Sequence, residues 1–185
     1  MTLYITASIA ILILIWLGIS YNNFIRLLNQ VDNAWAQIDV QLKRRYDLIP
    51  NLIETVKTYM EYESEVLQKI TQLRAQAMTA KTIEEKSTYE NMLSGALGRF
   101  RVAVENYPDL KANSNFLALQ EELTSTENKI AFARQNYNDQ AMRYNNKVKM
   151  FPSNLAANIF GYQVRAFFEI EDSERKAPNV KNNFK

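Results

Sequence analysis

Two short, strongly charged stretches carry the side chains that could do chemistry in this chain of 185 residues. The first stretch contains Arg44, Arg45 and Asp47. The second contains Glu105, Tyr107, Asp109 and Lys111. Opposite charges at this spacing can form caps and ion pairs that fix turns, and the same groups exposed together can bind a charged partner protein. We predict these seven residues as candidate partner-docking residues, and the turn-fixing interpretation stays open beside that prediction.

The residue types that the chain lacks exclude most catalytic chemistry. It has no Cys and no His, which excludes thiol nucleophiles, disulfides, Ser-His-Asp triads and His-dependent zinc or di-iron sites. Its four Gly form no glycine-rich phosphate-binding loop. Carboxylate chemistry remains, and a weak metal alternative uses Glu121, Glu122 and Glu127. We therefore expect no cofactor, no metal site and no enzymatic activity.

The elements that must position these residues are helices, because apolar residues recur three and four positions apart after residue 23. Four long helices are predicted, and Pro50 favours a turn between the first two, with Asp47 marking it; one kinked helix is the alternative. Thr82 opens the third helix with a capping-box pattern, and Asn113 or Ser114 caps the fourth, which Pro152 ends. A short helix is predicted from Ser153 to Phe160, with Gly161 as its stop. In an up-and-down bundle the two charged stretches then lie at the same end.

Polar side chains interleave with the apolar stripe of the fourth helix: Glu127, Asn128, Arg134, Asn138 and Asn145. Buried polar groups need hydrogen-bond partners, and a buried Arg134 would need a carboxylate. We expect these side chains to satisfy groups on neighbouring helices.

The N-terminal segment predicts a membrane anchor. The residues from Leu3 to Ile19 are almost wholly apolar, and Arg26 is the first charged side chain. At about 1.5 Å per residue, this run and its uncharged flank suit a bilayer core of roughly 30 Å. A cleaved signal peptide is the alternative, but the basic start and the small-residue cleavage site are missing. Lys and Arg occur only after the anchor, which favours an N-terminus outside and a large cytoplasmic domain.

Charge is unevenly distributed along the rest of the chain. From residue 143 to residue 185 there are eight Lys/Arg against four Asp/Glu, whereas residues 46–142 are acidic. Basic residues beside an apolar segment suit an anionic membrane surface. The predicted membrane-interface residues are Arg143, Lys147, Lys149, Phe151 and Phe160. The alternative is that the apolar residues cap the end of the bundle core.

Several long strings closely resemble the LemA family of bacterial membrane proteins. They are AWAQIDVQLKRRYDLIPNLIETVK from Ala34, ENYPDLKANSNFLALQEEL from Glu105, TENKIAFARQNYNDQAMRYN from Thr126, and the pair Phe151-Pro152. They occur in order over nearly the whole chain after the anchor. The resemblance implies an N-terminal membrane helix, an antiparallel four-helix bundle and no established enzyme activity.

The predicted fold is therefore all-α: a transmembrane anchor over 1–23, an antiparallel up-and-down four-helix bundle with a short C-terminal helix over 24–168, and a polar, flexible tail over 169–185. The predicted function is a non-enzymatic scaffold or adaptor at the bacterial inner membrane. A membrane-shaping oligomer and a carboxylate-dependent enzyme subunit are the alternatives. The expected partners are membrane lipid and other membrane proteins or further copies of the chain as a homo-oligomer, with no nucleic acid. Trp35, Tyr59, Tyr62 and Tyr137 supply aromatics for such a contact.

Overall fold

A computed structural model describes residues 1–60 and 63–169, and every regular element within them is helical. The elements are α1 (Thr2–Val56), α2 (Ser64–Thr79), α3 (Ile83–Val104), α4 (Pro108–Lys111), α5 (Ser114–Lys149) and α6 (Ser153–Phe160). The all-α prediction is confirmed, and the antiparallel bundle topology stays a prediction. The tail predicted over 169–185 lies outside the described residues from residue 170 onward, as does Tyr62.

The first part of α1 is apolar and unburied. It contains an 18-residue stretch that is long and apolar enough to cross a membrane, and none of this stretch is buried. Burial along the helix begins with Ser20 and Phe24. A core helix of a soluble protein would instead be mostly buried. As the uninterrupted sequence after Ile19 predicts, the same helix continues beyond this stretch into the packed part of the chain.

The turn expected at Pro50 is wrong, because α1 continues through Pro50 to Val56. Asp47 consequently lies within the helix instead of marking a turn. A proline inside a helix leaves the carbonyl four residues earlier without its N–H donor. That carbonyl belongs to Tyr46, and Arg74 Nε donates a hydrogen bond to it at 2.7 Å. The tertiary contact from α2 therefore satisfies the group that the proline frees.

The chain turns after Val56 instead, and the sequence marks this place by a gap in its apolar stripe. After Met60 the next apolar stripe residue is Val66, which already belongs to α2, so the apolar face is interrupted between them. In the turn, Tyr59 Oη accepts a hydrogen bond from Asn113 Nδ2 at 3.3 Å. The α1–α2 turn thus touches the residue that caps α5.

The predicted helix ends are confirmed at three positions. Thr82 Oγ1 accepts a hydrogen bond from the Glu85 backbone N–H at 3.1 Å, which caps α3. Asn113 Oδ1 accepts from the N–H groups of Asn115 and Phe116, which caps α5. Gly161 ends α6 with φ of 72°, a left-handed conformation that glycine adopts without steric cost.

The described chain forms two compact units, and α1 and α5 contribute to both. Unit 1 contains Met1–Leu42 and Lys129–Phe167, and unit 2 contains Lys43–Asn128 and the residues from Phe168. The core of unit 1 includes Phe24, Val31, Ile38, Ile130, Tyr137 and Tyr144. The core of unit 2 includes Ile49, Leu52, Ile70, Leu93, Phe100 and Phe116. Within unit 2, α2 packs against α3.

Candidate functional site

A buried charge cluster lies inside unit 2. It joins Arg45 of α1 to Glu90 of α3 and Glu127 of α5, and the Arg45 guanidinium makes an ion pair with each carboxylate. Arg45 and Glu90 are fully buried, whereas the side chain of Glu127 is 37% exposed. Charged groups are removed from water in this way only when they are paired and hydrogen-bonded. The cluster therefore cross-links three helices through the interior.

Each of the four carboxylate oxygens in the cluster already accepts a hydrogen bond. Glu90 takes one from Arg45 and one from the Tyr46 hydroxyl. Glu127 takes one from Arg45 and one from Ser94 Oγ, the latter at 2.8 Å. Ser94 Oγ also accepts from Arg45 Nη1 at 2.9 Å. No oxygen is left without a donor from the protein, which suits a structural network better than proton transfer to a substrate.

An open cleft of about 300 Å³ adjoins the cluster. Its walls come from α3, α5 and Leu52 of α1, and Ser94 and Glu127 contribute to both cleft and cluster. Gly95 and Gly98 line the cleft, and a Cβ added at either would meet no atom within 4 Å. The cleft is consequently open along this face of α3.

The predicted docking residues do not behave as one group. Arg45 is fully buried, so it belongs to the interior cluster and offers no surface to a partner. Its neighbour Arg44 is exposed and pairs with Glu122 of α5, and Lys111 pairs with Glu105. The remaining members are accessible: Asp47 and Asp109 are exposed, and Tyr107 is half-buried. The metal alternative is not assembled, because Glu122 and Glu127 are both occupied by arginines.

Glu90, Ser94, Tyr46 and Arg74 are site residues that the sequence analysis missed. A signal existed for Glu90, which lies three residues before Leu93 and seven before Leu97, on the apolar stripe of α3. A carboxylate at such a position requires a buried cation. The cation could not be chosen from the sequence, because Arg45 lies 45 residues away in the chain.

A second candidate site occupies the part of unit 1 that adjoins the apolar segment of α1. The ring of Phe160 in α6 packs edge-on against Tyr21, with centroids 5.1 Å apart. Tyr162 stacks on Phe24 at 4.7 Å. Burial raises the pKa of Tyr162, and it also raises the pKa of Tyr144 on α5. These contacts place α6 beside the residues where the apolar segment ends.

The segment after α6 is held along α5 by side chains. Asn145 forms a reciprocal pair with the backbone of Arg165, with both hydrogen bonds at 2.8 Å. Tyr137 Oη donates to the Ala166 carbonyl at 2.8 Å. Trp35 packs against the Tyr137 ring, so these two aromatics contact each other within unit 1. Asn145 is therefore hydrogen-bonded, but its partner is the segment after α6 and not the neighbouring helix that was expected.

The predicted membrane-interface residues belong to unit 1, and in the chain they lie on the last turns of α5, just before α6 and at the end of α6. Phe151 and Phe160 are exposed, as are Arg143 and Lys149, and Lys147 is half-buried. Both lysines are in the last turn of α5. Unit 1 therefore exposes both apolar and basic side chains within this part of the chain.

Comparison with known proteins identifies relatives over most of the chain. The model of the LemA family matches residues 34–182. Protein LemA of Metamycoplasma hominis is 28% identical over 94% of this chain and 79% of that protein. Magnetosome protein MamQ 2 of Paramagnetospirillum magneticum is 23% identical over 80% of this chain, but the match spans only 64% of that protein. Magnetosome protein MamQ of Magnetospirillum gryphiswaldense is 22% identical over the same shares. The chain therefore combines a match to this family with one apolar N-terminal helix that is long enough to cross a membrane.

Proposed function

This chain belongs to the LemA family, and we propose that it is a membrane-anchored, non-enzymatic scaffold or adaptor of the bacterial inner membrane. Its proposed partners are membrane lipid and either other membrane proteins or further copies of itself. The observation that carries the proposal is the unburied apolar stretch of α1, which continues as one helix into a packed helical unit. Such an arrangement anchors a folded module at a bilayer.

In the proposed topology, α1 crosses the membrane once, with its N-terminus outside and both units in the cytoplasm. The support is the distribution of Lys and Arg, which are absent before Arg26 and frequent afterward. Because the chain has no Cys, single-cysteine variants test this directly. In intact cells, Asn106→Cys should resist an impermeant maleimide and react only after lysis, whereas Thr2→Cys should react without lysis. Ready labelling of Asn106→Cys in intact cells would contradict the orientation.

The enzyme alternative receives its best support from Glu127, which lines the open cleft and shares the Arg45 guanidinium with the buried Glu90. A pair of carboxylates in different environments is what acid–base chemistry requires. The oxygens of both are already occupied by Arg45, Ser94 and Tyr46. This occupancy favours the non-enzymatic function.

One surface of unit 1 supports the proposal that copies of this chain associate with each other. Val40 of α1 and Phe132 of α5 are 64% and 73% exposed, and both line the same shallow depression. Large exposed apolar side chains at adjacent positions commonly mark interfaces. We expect Phe132→Cys to form cross-linked dimers with a short bifunctional maleimide in native membranes. The exposed neighbour Ala131→Cys is the matched control. Equal cross-linking of both variants would indicate random collision, and no cross-linking of either would contradict a copy-to-copy contact on this surface.

A further inference from the structure

We propose that α6 binds the surface of an anionic bilayer, beside the point where α1 leaves the membrane. The inference rests on the proposed membrane anchoring and adds a second, separate lipid contact. We call the exposed apolar side chains of α6 and of the residue before Pro152 the lipid-facing surface: Phe151, Leu155, Ile159 and Phe160.

The position of α6 relative to the apolar part of α1 is the first argument. Phe160 contacts Tyr21, and Tyr162 contacts both Tyr21 and Phe24. Tyr21 lies just beyond the apolar run that ends at Ile19. Tyrosine rings are enriched at the headgroup level of membrane proteins, where one part of the ring is apolar and the hydroxyl is hydrated. An anchor that crosses the bilayer therefore holds α6 at the depth of the interface.

The two faces of α6 are the second argument. Its small residues Ser153, Ala156 and Ala157 are buried, so this face packs on the protein. The opposite face exposes Leu155 and Ile159, the latter at 64%. Phe151, just before the helix, is 78% exposed. The alternative that this region caps the core accounts for the small buried residues, but it leaves the large apolar side chains in water. A helix that lies in the membrane interface buries such a face among lipids.

Charge is the third argument. The sequence has no Asp or Glu from Met1 to Val31 and none from Gln140 to Phe168. Tyr21 lies in the first of these segments and Phe160, which contacts it, lies in the second. The two segments carry the basic residues Arg26, Arg143, Lys147, Lys149 and Arg165. Of these, Arg165 approaches Asp32 at 3.8 Å. A surface with several cations and few carboxylates is complementary to anionic headgroups, and each basic residue near such a surface strengthens binding about fivefold.

The test uses the full chain reconstituted in vesicles of phosphatidylcholine and phosphatidylglycerol. Ile159→Cys and Leu155→Cys carry an environment-sensitive fluorophore, and lipids brominated on their acyl chains serve as quenchers. We expect blue-shifted emission and strong quenching at both positions. Gln135→Cys, at an exposed position of α5, is the matched control and should behave as in water. Ile13→Cys, in the apolar stretch of α1, reports separately on the anchor.

The outcomes separate this inference from the proposed function. Quenching at position 13 with water-like emission at 155 and 159 would overturn the α6 contact and leave the anchor intact. Blue-shifted emission at 159 without quenching by brominated lipid would overturn it in favour of a protein cover, such as a second copy. Absence of quenching at position 13 would contradict the anchor itself.

The charge contribution is tested by the triple variant Arg143→Gln, Lys147→Gln and Lys149→Gln in the Ile159→Cys background. Because each basic residue strengthens binding to the anionic surface about fivefold, removing three should lower the equilibrium constant for binding of α6 to anionic vesicles by roughly a hundredfold. In vesicles of phosphatidylcholine alone, the triple variant should quench like its parent. Unchanged helicity by circular dichroism confirms that the variant is folded. Equal quenching of variant and parent in the anionic vesicles would refute the anionic preference.

Discussion

Replacing Arg45 with methionine should destabilise the protein far more than the same change at the adjacent Arg44. Methionine retains the length and apolar body of the side chain but removes the guanidinium. Glu90 is fully buried, so Arg45→Met leaves its carboxylate in the core with only the Tyr46 hydroxyl as donor. Breaking a buried ion pair from one side costs about 3–5 kcal/mol. For a chain of this size that corresponds to a loss of roughly 6–20 °C in Tm.

Arg44→Met is the matched control for this prediction. Arg44 and Glu122 form the same kind of ion pair, but their side chains are 48% and 36% exposed. Water solvates both groups after the change, and exposed pairs contribute about 0–1 kcal/mol. The measurement is thermal unfolding of the full chain in a mild non-ionic detergent, followed by far-UV circular dichroism.

A double variant distinguishes the lost ion pair from lost packing. Glu90→Gln removes the buried charge, and its amide can still contact Tyr46. Glu127 is partly exposed and keeps Ser94 as a donor, so it tolerates the absence of Arg45. We expect Glu90→Gln to restore about half of the stability lost in Arg45→Met. Equal Tm losses for Arg44→Met and Arg45→Met, or purely additive losses in the double variant, would refute this reasoning.

Three further predictions follow from single contacts. Arg74→Ala should lower the free energy of unfolding by about 1–3 kcal/mol, because the Tyr46 carbonyl, which Pro50 already leaves without an N–H donor, then has no hydrogen bond from Arg74. The loss should be smaller in a Pro50→Ala background, and a double-mutant cycle of unfolding free energies measures the difference. Thr82→Ala should lower the free energy of unfolding by about 1 kcal/mol, because it removes the α3 cap. Thr82→Ser keeps the hydroxyl and should retain most of the stability of the original protein in thermal unfolding. Burial raises the pKa of Tyr144, so the unfolded chain ionises first and stability should fall as pH rises above about 10, whereas Tyr144→Phe should flatten this alkaline decline in melting experiments.

The sequence by itself determined the features that depend on neighbours along the chain. Residue spacing predicted the helices, and local side chains predicted the caps at Thr82 and Asn113 and the stop at Gly161. The apolar run before Arg26 predicted a helix able to span a membrane, and long sequence strings identified the family. Each of these follows from a few consecutive residues, because periodicity and capping are local properties.

Only the tertiary structure decided which partner meets a buried charge and which helix breaker is tolerated. Helical spacing alone places Arg45 on the apolar stripe, three residues after Leu42 and four before Ile49, but it does not reveal that Glu90 is the partner of Arg45. Pro50 remains inside α1 because Arg74, on another helix, supplies the missing donor. Both outcomes depend on side chains that are distant in the sequence, and the local spacing of residues does not indicate which distant side chain becomes the partner.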